Sequence, residues 1–116
     1  MNLVEARESL IQQLKATGAR VYGDPGAVIQ PPGIVVSVPS LSWGGTLVTP
    51  REAEFTVTYS VKMDDRAAVR LLEAVSKVSE AITDPDFIIT SATPGIYTSN
   101  GVDLPSYSFT IATTLS

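Results

Sequence analysis

Apolar positions along the chain switch repeatedly between a helical period and a strand period. From Asn2 or Leu3 to Thr17, Leu3, Val4, Ala6, Leu10, Ile11 and Leu14 recur at spacings of three, four and seven. Glu5, Arg7, Glu8, Gln12, Gln13 and Lys15 fill the rest of the wheel, so this segment predicts an amphipathic helix. Acids near its start, Lys15 near its end and Gly18 just beyond match the helix dipole and a left-handed cap. Residues 19–22 read as a short strand, and Gly23-Asp24-Pro25-Gly26 as a turn. Pro31-Pro32 withholds two amide donors, which predicts an extended connector or a sheet edge. The β-branched run 34–38 predicts a strand that is ended or bulged at Pro39. Leu41-Ser42-Trp43 then leads into Gly44-Gly45, a hairpin-type turn from which Thr46-Leu47-Val48 is expected to return.

Residues 53–63 give the clearest strand. Ala53, Phe55, Val57, Tyr59, Val61 and Met63 alternate with Glu54, Thr56, Thr58, Ser60 and Lys62, so one face is apolar and the other polar. A second helix follows, with Asp64 as N-cap, Asp65 near the positive dipole end, and Ala68, Leu71, Leu72, Val75, Val78 and Ile82 as its buried stripe. Thr83-Asp84-Pro85 stops it. Phe87-Ile88-Ile89-Thr90 predicts a strand broken at Pro94-Gly95, and Asn100-Gly101 predicts a tight hairpin between residues 96–99 and 102–104. A last strand over residues 106–115 turns Tyr107, Phe109, Ile111, Thr113 and Leu115 to one side, with Phe55, Tyr59, Phe87 and Phe109 expected in the core. The expected fold is α+β: an antiparallel β-sheet packed by two α-helices, one domain over residues 1–116.

Composition narrows the function. The 116 residues include no Cys and no His, which excludes disulfide scaffolds, thiol enzymes, Cys/His zinc sites and Ser-His-Asp triads. Net charge is −4, and the eight Lys and Arg are scattered without aromatic interleaving, against a nucleic-acid face or an anionic-membrane partner. No apolar run reaches the roughly 18 residues needed to span a bilayer and no signal-peptide pattern opens the chain, so a protein made in a cytoplasm is expected. Charged residues are 17% of the chain, well under the usual quarter. Either partner subunits cover part of the surface, or an exposed β face is built from Ser and Thr.

Candidate chemistry is sparse. Gly23-Asp24-Pro25-Gly26 lacks the Lys-Ser/Thr of a phosphate-binding loop. Asp64-Asp65 fits helix capping, and Asp84-Pro85-Asp86 lacks the Gly and closing Glu of a calcium loop. An enzyme working with carboxylates alone would have to use these four acids. Arg66, Arg70 and Lys77 share a helix with Glu73 and Glu80, the pattern of a solvated face. No catalytic, cofactor-binding or metal residue is predicted. Trp43 beside Gly44 and Gly45, and Tyr97 beside Asn100 and Gly101, sit at predicted hairpin ends. Each ring is either a contact residue or folds back on its own core. The Gly- and Pro-rich segments 23–32 and 40–52 are the expected sites of ordering on assembly.

Several features together resemble the tail terminator proteins of long-tailed bacteriophages: the N-terminal helix, the Pro31-Pro32-Gly33-Ile34-Val35-Val36 connector, and the alternating strand ending Val61-Lys62-Met63-Asp64. The following helix, Pro94-Gly95-Ile96-Tyr97 and Asp103-Leu104-Pro105-Ser106-Tyr107 complete the resemblance, which covers nearly the whole chain. It implies a ring-forming subunit, a hexamer that caps the tail tube at the head-proximal end of the virion and ends tail elongation. Its expected partners are copies of itself, the tail tube protein and a head-completion protein. DNA would pass through the lumen without specific binding, and no enzymatic activity, cofactor or membrane is expected. The alternatives are another tail-tube or head-closure component, and a monomeric adaptor that binds peptides at a strand edge.

Overall fold

The computed structural model describes residues 2–24, 26–45 and 48–115. Its elements run α1 (Leu3–Leu14), a 3-10 turn (Lys15–Thr17), β1 (Arg20–Tyr22), β2 (Gly33–Val36), β3 (Ser40–Ser42), β4 (Glu52–Ser60), α2 (Ala67–Ala81), β5 (Phe87–Ser99) and β6 (Val102–Thr114). The fold is α+β, one compact domain with two helices on a six-stranded sheet. Strand order is β1-β2-β4-β6-β5, with β3 also paired to β4. β1 and β2 run parallel, which the expectation of an antiparallel sheet did not include, and all other pairs are antiparallel.

Local chemistry fixes the helix ends. The Asn2 side chain accepts the Glu5 N–H while the Glu5 carboxylate accepts the Asn2 N–H, a reciprocal cap on α1. Gly18 closes the following turn at φ +84°, as expected of a left-handed cap. Asp64 does not hold the N-cap position of α2, which falls to Arg66. Its carboxylate instead accepts the Arg66 N–H at 2.9 Å and pairs with the Arg70 guanidinium at 2.5 Å. These bonds hold its pKa below the ordinary aspartate value, the backbone N–H contributing most.

Both helices cover one face of the sheet. Ala6, Leu10 and Leu14 of α1 and Ala67, Ala74 and Val78 of α2 pack on Phe55, Val57 and Tyr59 of β4 and on Phe109 and Ile111 of β6. The predicted stripes need three corrections. Val4 is 66% exposed, lying beside the narrow Ala6-Leu10-Leu14 row. Leu72 and Ala68 face outward because α2 settles on Ala67, Ala74 and Ala81, whose small side chains let the helix approach the sheet. Met63 is exposed because β4 ends at Ser60 and the chain is already turning toward α2, although Val61 remains buried.

Loops and strand limits differ in similar ways. The strand predicted over 34–38 ends at Val36, where Ser37 takes over the edge: its N–H donates to Thr56 and its hydroxyl accepts the Thr56 N–H. The partner of β3 is β4, in register Ser42↔Glu52, rather than the segment after Gly45. Thr46 and Leu47 of that expected return lie outside the described residues, as does Pro25 of the first turn, and Val48 is almost fully exposed. Pro94-Gly95 does not break a strand: β5 runs unbroken for 13 residues, with one register shift between Ile89 and Ser91.

Candidate interaction surface

The outer edge of β5 follows from how its neighbour is bonded. The Val61 N–H donates to the Pro105 carbonyl at 2.9 Å, so the backbone of β6 faces β4 at Pro105 and, by alternation, at Tyr107 and Phe109. Their β5 partners Ile96, Pro94 and Ala92 therefore turn their own backbone groups away from β6, onto the free edge. Pro94 sits where its missing N–H removes no ladder bond, which explains how a proline lies inside a 13-residue strand. Pro105 is likewise tolerated: its carbonyl accepts the Val61 N–H, and its missing N–H falls opposite Val61, one residue beyond the end of β4. The edge carries no charged residue from Phe87 to Ser99, and its middle section is exposed on both faces, with Ile88 and Ile96 largely open. An edge of this length without Lys or Glu is a template for another strand, while Pro94 and the shift at Ile89/Ser91 limit indiscriminate pairing.

The β5–β6 turn has the geometry its sequence demands. Asn100 at φ 50° and Gly101 at φ 76° form a two-residue turn in which both central residues are left-handed. Thr98 donates to the Asp103 carboxylate across it at 2.6 Å. Tyr97 is half-buried against a small second cluster, Ile29, Val35 and Leu104, on the sheet face opposite the helices. The Ile29 N–H donates to the Ser99 hydroxyl at 2.9 Å, which ties the 23–32 connector to this hairpin. Tyr97 thus takes largely the packing alternative, with part of its ring open.

At the β3–β4 connection Trp43 is 44% exposed, followed by Gly44 at φ +64° and Gly45 at φ +97°. A Cβ on Gly44 would lie 3.1 Å from the Arg51 side chain, so two constraints converge there. The structure does not bring the two predicted hairpin groups together. Trp43 lies by Arg51 and Leu115 at one end of β6, and Asn100-Gly101 caps the other end. Thirteen strand residues separate them by about 40 Å, most of the 50 Å long axis of the molecule.

Of the four acids weighed as catalytic, Asp64 and Asp84 hold local structure with their carboxylates. Asp84 accepts the Asp86 N–H at 2.9 Å, and the Gln13 side chain accepts the N–H groups of Thr83 and Asp84, fastening α1 to the loop after α2. Among the described residues no three carboxylates gather as a metal site. Sequence reasoning missed the continuous β5 edge, because Pro94-Gly95 read as a break. The signal that could have found it was the absence of charge on both sides of that dipeptide. A scan against protein-family models finds no match to this chain, and a search of curated proteins finds none.

Proposed function

We propose that this chain is a structural subunit that assembles into a ring through its strand edges, in the role of a tail terminator of a long-tailed phage. The observation that carries assembly is the β5 edge: 13 residues, uncharged, with outward backbone groups at Ala92 and Ile96. The terminator role rests on the sequence resemblance. In this reading copies join edge to edge in a head-to-tail sense, which closes into a ring when the rotation allows. The hexameric ring ends tube growth by geometry and needs no catalytic group. The exposed groups at the two ends of the long axis, Trp43 with Gly44 and Gly45 and the Asn100-Gly101 turn, supply contacts to neighbours, to the tail tube protein and to a head-completion protein. DNA passes through the lumen unbound.

The same edge supports a second reading, a monomeric adaptor that receives an extended peptide as an added strand. Native mass spectrometry over a concentration series, with images of the same samples, separates them. Six copies of 12.3 kDa, about 74 kDa, imaged as rings, is the expected result. A stable monomer that binds extended peptides favours the adaptor.

A further inference from the structure

The chain holds two asparagines, Asn2 and Asn100, and the fold treats them in opposite ways. Asn2 caps α1: its side-chain oxygen accepts the Glu5 N–H at 2.9 Å, its own N–H is held by the Glu5 carboxylate, and the next residue, Leu3, is already helical. Asn100 is followed by Gly101, and both are exposed at the tip of the β5–β6 hairpin. A Cβ built on Gly101 would meet nothing within 4 Å, so the peptide bond joining the two residues is open to solvent on that side.

The difference matters for a reaction that needs no enzyme. An asparagine side-chain amide is open to attack by the backbone nitrogen of the following residue whenever that nitrogen can approach Cγ. Glycine hinders the approach least, because it has no Cβ and turns freely about its backbone. A closed two-residue turn pins that backbone, so the reaction waits on local opening. The fold makes opening easy at Asn100 and hard at Asn2. Both helices pack on β4 and the second half of β6, and of residues 96–104 all but Tyr97, Ser99 and Leu104 are exposed. Asn2, in contrast, is fastened by two hydrogen bonds at a helix start whose next turn carries buried Ala6.

We propose that Asn100 is a site of spontaneous deamidation in the folded subunit, while Asn2 is protected. The Gly101 nitrogen, its proton taken by hydroxide, bonds to Asn100 Cγ; the Cγ–Nδ2 bond breaks, and the amide leaves as ammonia with a proton from water. A second water then opens the five-membered imide at one of its two carbonyls. One opening gives aspartate, which tolerates the left-handed turn. The other gives isoaspartate, whose main chain gains a methylene and no longer fits a two-residue turn. Either product adds a negative charge at the hairpin end where the Asp103 carboxylate already accepts the Thr98 hydroxyl at 2.6 Å. The inference concerns the free subunit and does not rest on the ring reading.

The test incubates dilute native protein and guanidinium-unfolded protein side by side at mildly alkaline pH, then digests both with trypsin and weighs the peptides. Cleavage after Arg7 and Lys77 places the two asparagines in separate peptides, since no Lys or Arg follows Lys77. In the native sample the peptide carrying Asn100 should gain about 1 Da, the exchange of an amide for an acid, while the peptide carrying Asn2 keeps its mass. The native rate at Asn100 should be no less than about one tenth of the unfolded rate, as expected of a weakly covered hairpin end, and should rise with pH. Asn100→Gly, whose Gly-Gly turn preserves the hairpin, should show no gain in that peptide. A slower native conversion, an Asn2 peptide that converts as fast, or the same gain in Asn100→Gly overturns the assignment.

Discussion

β4 and β5 both flank β6, yet they live in opposite surroundings. On β4 every second residue from Ala53 to Tyr59 is buried under the helices. On β5 only Phe87 and Ser99, at its two ends, are buried. The pairing with β6 is long in both cases, nine register pairs for β4 and twelve for β5, so hydrogen bonding does not account for the difference. Cover does: α1 and α2 reach β4 and the second half of β6, and leave the outer part of the β5–β6 hairpin to its own cross-strand contacts. Stability therefore concentrates in the helix-backed half, and the exposed hairpin is free to serve as a surface.

Substitutions can sharpen or break this contrast. Phe55→Ala, at the centre of the covered half, should cost about 3–5 kcal/mol in denaturant unfolding, while Ile96→Ala on the open strand should cost no more than about 0.5 kcal/mol. Similar losses at both sites would break the comparison. Gly101→Ala, forcing a Cβ at φ 76° in the hairpin turn, should cost about 1 kcal/mol, with thermal unfolding as the measurement. Thr113 faces the core, and among the described residues its hydroxyl is unpaired. Thr113→Val should therefore stabilise the fold by about 1 kcal/mol, a gain that a hidden partner for the hydroxyl would turn into a loss.

The smallest effect concerns Asp64, whose folded pKa lies below its ordinary value of 3.8. Its contribution is full above that value and disappears as pH falls through the lower, folded-state value. Because the Arg70–Asp64 pair is partly open to solvent, acid titration should reveal only a slight loss, absent in Asp64→Asn.

Much of the covered half was legible in the sequence, because alternation on β4 and the three-four spacing on α1 report directly which side meets apolar neighbours. Phe55, Tyr59, Phe87 and Phe109 are all buried as expected. The stripe of α2 was placed about one position off, since alanines carry little hydrophobic weight yet decide how closely a helix packs. The open half was hidden for a different reason. Proline signals a break only where its N–H is needed, and whether Pro94 needs one depends on which edge it faces, a property of the sheet rather than of the dipeptide.

Assembly through the β5 edge is the central claim, and the most direct measurement compares native mass spectra of the wild-type chain and Ile96→Lys at matched concentrations. A lysine on an exposed edge discourages strand addition without touching the core. The account predicts ring-sized oligomers for the wild type and monomers for Ile96→Lys at unchanged thermal stability. Identical oligomer distributions for the two proteins, or a wild-type chain that stays monomeric throughout, would contradict it.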